Sequence, residues 1–139
     1  MSIHQNRRAW QRHVLAENRR SIEGLLETLC AEPIYQIMAT QEKYQGKEEV
    51  AKFYRTLFEG VPEAQFELIN VFVGEEGVVE ESILHGHHRG ALFGLAATGR
   101  EIALPLTIVF PMRNGEILGE HLYFDLLTLA RQLGVKIDF

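Results

Sequence analysis

Two periods divide the chain. In the first half apolar side chains recur every three or four positions, as on one helix face; from Ala64 onward they alternate, as on one strand face. Ser2-Ile-His-Gln5 reads as a capping box, a hydroxyl residue followed three positions later by Gln. The helix that follows carries Ile3, Trp10, His13, Val14 and Glu17 along one side. A second helix is predicted over Ser21 to Leu29, where Ile22, Leu25, Leu26 and Leu29 keep the i, i+3, i+4, i+7 spacing until Pro33 stops it. Pro33 to Met38 reads as a short strand, with Ile34, Gln36 and Met38 opposed to Tyr35 and Ile37. After Gly46, Lys47 to Glu59 forms a third helix with Val50, Phe53, Tyr54, Leu57 and Phe58 on its apolar face. Gly60 and Pro62 close it.

The alternating half begins with Phe66, Leu68 and Val71 in a strand that ends at Gly74. Gly74-Glu-Glu-Gly77 is a hairpin loop, and Val78 to Arg89 the returning strand. A glycine-rich connection runs from Gly90 to Gly99. Glu101-Ile-Ala-Leu-Pro-Leu-Thr-Ile-Val-Phe-Pro-Met112 is apolar on both faces, which predicts cover on both. Pro105 and Pro111 cannot donate to a ladder, so this strand must be bulged or unpaired there. Asn114-Gly115 is a strong hairpin signal and leads into Ile117 to Asp125, a strand that turns into the helix Leu126 to Gly134 with no linker. Helices gathered ahead of a meander of strands predict an α+β fold: a curved, mostly antiparallel sheet with the N-terminal helices packed over its concave face, leaving an apolar pocket between them.

Composition narrows the function. A length of 139 residues suits one domain, residues 1–139, with a sizeable core. The net charge of −5 repels phosphate backbones and argues against nucleic acid as a partner. Arg7, Arg8, Arg12, Arg19 and Arg20 cluster on the first helix, but no aromatic residues interleave them, and they read as a solvated face. Cys30, the sole cysteine, excludes an intrachain disulfide and a cysteine-based zinc site; its setting suggests a small buried hydrophobe. No apolar run reaches the roughly 20 residues of a membrane helix, and no signal-peptide core opens the chain. The expectation is a soluble cytoplasmic protein.

Candidate chemistry sits on the last strand and on a histidine cluster. Alternation puts His121, Tyr123 and Asp125 on one face and Glu120, Leu122 and Phe124 on the other. If the first set faces the pocket, Asp125 loses hydration there, and a carboxyl with raised pKa suits proton abstraction beside a carbonyl. Asp125 also directly precedes a helix, where Asp is a favoured N-cap; the two roles are compatible. In His85-Gly-His87-His88 a His-x-His pair supplies two metal ligands and needs a third, which His121 could lend. No carboxylate follows at ligand spacing, and no metal is expected. His88 is either a residue near the cavity or a structural histidine bonded to the glycine-rich loop. Trp10, His13, Tyr35, Met38 and Tyr54 come from the elements that should form the lid; most belong to the core, and the remainder line the cavity.

Three stretches carry a resemblance to the SnoaL-like polyketide cyclases and ester cyclases of the nuclear-transport-factor-2-like superfamily. Gly86-His-His-Arg-Gly-Ala-Leu-Phe-Gly94 with Ala97-Thr-Gly-Arg100 is similar to that family's Gly-Thr-His-x-Gly…Pro-Thr-Gly-Arg segment. Gly46-Lys-Glu-Glu-Val-Ala-Lys-Phe-Tyr54 is similar to its Gly-Arg-Glu-Ala-Val…Phe-Tyr helix. Gly115-Glu-Ile, Glu120, Asp125 and Gln132-Leu-Gly134 are similar to its closing strand and helix. The resemblance implies a cone of sheet and helices, often a homodimer packed through the sheet's outer face. It implies an Asp at the end of the last strand, here Asp125, as acid/base in an intramolecular aldol ring closure, without cofactor or metal. The chain departs from the family at Ala97, where the motif has Pro, and at Leu122, where Trp is frequent. Val109-Phe110-Pro111 offers no counterpart to the cyclases' catalytic histidine.

The resulting expectation is a cyclase- or isomerase-type protein doing cofactor-independent acid/base chemistry on a small apolar, carbonyl-containing or polyketide-like molecule. Asp125 would be the base, His121 or His88 would assist, and Tyr123 would donate to an oxyanion. The alternatives are a non-catalytic small-molecule-binding module and a structural dimer with a vestigial pocket. Asp125 facing a cavity favours catalysis, Asp125 as a cap alone favours binding, and a filled cavity favours the structural dimer.

Overall fold

The computed structural model describes residues 2–137, leaving aside the side chain of Ser2, so the predicted cap at Ser2 lies outside the described residues. The elements run α1 (Ser2–Asn18), α2 (Ile22–Glu27), β1 (Leu29–Ile37), β2 (Glu42–Gln45), α3 (Lys47–Gly60), β3 (Gln65–Val73), β4 (Gly77–His87), β5 (Glu101–Arg113), β6 (Glu116–Tyr123) and α4 (Leu126–Leu133). The strands form one sheet in the order β2-β1-β6-β5-β4-β3. Every pairing is antiparallel except β1 with β6. The α+β fold with N-terminal helices on the concave side is the predicted one.

Two elements differ from expectation. The second helix stops at Glu27, where the Thr28 N–H bonds the Leu25 carbonyl as the cap. Leu29 continues the apolar period of that helix, yet it opens β1 because it pairs with Ile117 across the sheet. Cys30 is therefore a half-buried strand residue, its thiol 3.9 Å from the Leu118 carbonyl. Glu42–Gln45 is a short edge strand paired with Ile34–Ile37; it is too polar for periodicity to reveal.

β5 buries one face only. Ile102, Leu104, Leu106, Ile108, Phe110 and Met112 are buried, whereas Ala103 and Pro105 are exposed and Val109 and Pro111 half-buried. The prediction of cover on both faces is thus corrected for the single chain. Pro105 lies beyond the stretch of β5 that pairs with β6, and Pro111 lies within the register shift between Val109 and Met112, as proline requires.

That shift positions the site. Between these two registers β5 advances from Val109 to Met112 while β6 runs from Ile117 to His121, so β6 carries an extra residue. Gly119 lies in the bulge, and a Cβ there would stand 1.8 Å from the Ile34 carbonyl oxygen. Only glycine lets β1 approach so closely. Beyond the bulge the phase of alternation reverses, and Glu120 and Leu122 point into the core. His121 and Tyr123 point to the outer face, which corrects the inward orientation allowed for them and for Asp125.

Candidate functional site

A buried polar cluster occupies the inner end of the cone. α1 contributes Trp10, His13 and Glu17, spaced so that all three project from one face. α3 contributes Tyr54, β1 Tyr35, β4 Glu80 and β6 Glu120, and all seven are buried. His13 Nε2 lies 2.8 Å from Glu120 Oε2, and the Tyr54 hydroxyl donates to the same oxygen at 2.9 Å. Tyr35 and Tyr54 are hydrogen-bonded through their hydroxyls. Trp10 Nε1 donates to Glu80 Oε1 at 2.9 Å.

The direction of this network follows from its far end. The Thr28 hydroxyl donates to the Leu25 carbonyl at 2.7 Å, so it has no proton left to give. His13 Nδ1, 2.8 Å from the Thr28 oxygen, must therefore carry the donating proton. Nε2 then faces Glu120 with a single shared proton. Because Tyr54 donates to Glu120, Tyr35 is the donor to Tyr54. Burial and the charge of Glu120 push both tyrosine hydroxyls well above their ordinary pKa, so both remain protonated donors.

Glu17 and Glu120 also line a narrow apolar cavity with Phe53, Leu57, Phe66, Leu84, Phe93, Leu104, Leu106, Ile108 and Leu122. Its volume is about 20 Å³, room for about one water molecule. Every lining residue is buried except Phe93, which is half-buried. Phe93 belongs to the glycine-rich connection, has φ +50°, and precedes Gly94 at φ +77°. Its ring sits 5.0 Å from that of Phe124.

Burial drives the Glu17 carboxyl well above its ordinary pKa, and repulsion from Glu120 and Glu80 adds to the shift. Glu80 is raised by burial too, against the opposing hydrogen bond from Trp10. Ligating atoms of His13, Glu17 and Glu120 lie within 4.8 Å of one another, close enough to hold a metal ion. The chemistry on offer is that of two neighbouring carboxyls beside a histidine whose Nδ1 proton is committed to Thr28.

The anticipated residues divide. Trp10, His13, Tyr35 and Tyr54 gather in the cluster. Met38 does not: alternation puts it on the face opposite Tyr35, in a surface depression with Gln41 and Lys43. Tyr123 is 44% exposed on the outer face. Asp125 caps α4, accepting from the Leu127 N–H at 3.0 Å and the Thr128 hydroxyl at 2.9 Å. Those bonds, the Thr128 one above all, hold it below the ordinary carboxylate range. It borders an outer groove of about 770 Å³ with Tyr123, Phe124 and Pro105, away from the inner cavity. His121 shares the outer side of β6.

His88 is fully buried. Its Nδ1 is 3.1 Å from the Thr98 hydroxyl, and its carbonyl accepts from the Thr98 and Gly99 N–H groups. This is the structural alternative, a histidine that ties the glycine-rich loop. His85 and His121 lie opposite Ala103 and Val109 of β5, six residues or roughly 20 Å apart, and cannot share an ion. Glu120 was the residue misjudged: its place in the pattern was read correctly, but the bulge that turns it inward leaves only a glycine as its mark.

The model of the SnoaL-like polyketide cyclases matches residues 6–133. The chain belongs to this family. Among solved structures, a protein assigned to the SnoaL-like polyketide cyclases from Jannaschia sp. CCS1 superposes with a TM-score of 0.86 at 21% identity, over 96% of this chain and 94% of that one. TsrD from Streptomyces laurentii gives 0.82 at 22%, over 96% and 97%. A protein of ketosteroid isomerase-like fold from Catenulispora acidiphila, in complex with trimethylamine, gives 0.79 at 18%, over 94% and 95%. At such identities these neighbours establish the SnoaL-like fold alone. No curated protein matches the chain. Among the described residues, no helix is long and apolar enough to cross a membrane.

Proposed function

We propose that this SnoaL-like chain is a cyclase- or isomerase-type acid/base catalyst, cofactor-independent, acting on a small carbonyl-containing or polyketide-like molecule, and that Glu120 rather than Asp125 is its base. The observation that carries this reading is the position of Glu120. It is a buried carboxylate at the apolar cavity, held on one oxygen by His13 and Tyr54. Its other oxygen has no partner among the described residues. A carboxylate fixed in an apolar site can react without having to shed water first. The step is removal of a proton from carbon next to a carbonyl, which both aldol closure and double-bond isomerisation require.

The site opens at Phe93 in this reading, because the cavity as it stands is too small for such a molecule. The same observation supports the second reading, a binding module whose cavity forms around its ligand. We also propose a homodimer packed through the outer sheet face, where Phe72 is 59% exposed in a groove with Val109 and Pro111.

The test is exchange of carbon-bound hydrogen for deuterium in a panel of small ketones and enones, read by proton NMR. Wild-type protein catalyses exchange of at least one member. Glu120→Gln loses at least about a hundredfold in rate, the usual worth of a positioned base, while Asp125→Asn keeps it. Exchange undiminished in Glu120→Gln overturns the assignment, and exchange lost only in Asp125→Asn returns the role to that residue.

A further inference from the structure

Glu17 has no task in the network that holds Glu120. Trp10 occupies Glu80, and His13 and Tyr54 occupy Glu120, but the Glu17 Oε1 is buried without a hydrogen-bond partner among the described residues. Native proteins seldom leave such an atom unsatisfied unless something else comes to meet it. Glu17 is 2% exposed, lines the cavity, and stands with Glu120 and His13 inside a 4.8 Å cluster. Two carboxylates that close cannot both be charged in an apolar interior. Glu120 accepts the Tyr54 hydroxyl and faces His13 Nε2; Glu17 has no donor among the described residues. The proton therefore resides on Glu17, and an acid O–H needs an acceptor.

We infer that Glu17 is a hydrogen-bond donor subsite for the carbonyl oxygen of a neutral ketone or enone, set beside the Glu120 carboxylate so that one ligand spans both. This rests on the reading of Glu120 as base and names what the ligand must present. Glu120 takes the proton from the carbon beside the carbonyl. The C–H pair becomes the new C=C bond, the C=O pair moves onto oxygen, and the Glu17 O–H holds that oxygen. Return of the proton to carbon restores both carboxyls, with no redox partner needed. A carboxylate ligand is refused, because its charge would meet Glu80 and Glu120.

Infrared difference spectroscopy tests this on the full chain with cyclohex-2-enone labelled at its carbonyl carbon. At neutral pH the wild type shows a protonated-acid C=O band that Glu17→Gln lacks. Enone binding moves that band and lowers the frequency of the labelled carbonyl. Glu17→Gln, close in shape, keeps the fold and gives a smaller carbonyl shift. Glu17→Leu abolishes the shift and weakens binding about tenfold or more, the worth of a strong buried hydrogen bond. Each measurement is repeated with Phe93→Ala, so that a closed cavity is not mistaken for a missing subsite. An acid band unchanged in Glu17→Gln overturns the inference. So does an enone carbonyl indifferent to Glu17, an enone that binds neither background, or a stoichiometric metal ion released by chelator and absent from Glu17→Gln. If the band test fails while Glu120→Gln stops exchange, only the role of Glu17 falls. If exchange survives Glu120→Gln while the enone shift depends on Glu17, the base assignment falls and the donor subsite stands.

Discussion

His13 Nδ1 stands 2.8 Å from the Thr28 hydroxyl, whose own proton is committed to the Leu25 carbonyl. A single side chain at the end of α2 thereby decides which face of the imidazole meets Glu120. Thr28→Val keeps the shape but leaves the buried Nδ1–H without an acceptor. The expected loss is about 1–3 kcal/mol in urea unfolding. Long-range proton–nitrogen NMR should show His13 protonated at Nδ1 in the wild type and a changed proton distribution in the variant. A His13 spectrum unaffected by Thr28→Val would remove the hydroxyl from the network.

Glu120 reaches the interior because β6 carries an extra residue at Gly119. An Ala Cβ there would lie 1.8 Å from the Ile34 carbonyl oxygen, so β1 and β6 must separate to admit it. Gly119→Ala should cost more than about 3 kcal/mol, well beyond an ordinary substitution. Deuterium exchange by any active substrate should fall with it, since the bulge aims Glu120. A variant as stable as the wild type would show that the approach of β1 is not tight.

This glycine also marks where sequence reasoning stopped. The helices and the long strands were legible because each buries one face at a fixed period, and His13 and Glu17 emerged from that period on α1. Leu29 was misplaced because its spacing fits the helix behind it as well as the strand ahead, and only pairing with Ile117 decides between them. Glu120 and His121 exchanged faces because alternation is a local rule and a bulge breaks it. Asp125 was legible as a cap, and capping accounts for both of its oxygens.

The outer face of β5 explains a second misreading. Val109 and Pro111 look like core residues in the sequence but are only half-covered in one chain. With Phe72 at 59% exposure they leave an apolar surface, the face on which the proposed dimer would pack. Phe72→Glu should convert a dimer to a monomer in sedimentation equilibrium while leaving the far-ultraviolet circular dichroism unchanged. A wild type that sediments as a monomer would refute the dimer directly.

Phe93 is the half-buried member of an otherwise buried cavity lining. Its removal should open the cavity toward solvent without loosening the sheet. Phe93→Ala is expected to bind Nile red at least about tenfold more tightly, a gain of about 1.4 kcal/mol, with little change in unfolding midpoint. Equal binding by both proteins would place the entrance elsewhere.

The pH dependence of stability reports the state of Glu17. Its folded pKa lies well above the ordinary 4.5 because of burial and the neighbouring Glu120. Below 4.5 the carboxyl is protonated in both the folded and the unfolded chain, and its contribution to stability is fully present. Above that value the unfolded chain ionises while the folded chain holds the proton, so stability falls as pH rises through the folded pKa. Glu80, also raised, acts with the same sign. Asp125 acts oppositely, but only as pH falls through its lowered value below 3.8. Urea unfolding of the wild type should therefore weaken as pH rises above about 4.5, and Glu17→Gln should remove up to about 1.4 kcal/mol per pH unit of that slope. The remainder belongs to Glu80. An unchanged slope in Glu17→Gln would mean that Glu17 ionises normally in the fold, and the acid subsite would be lost with it.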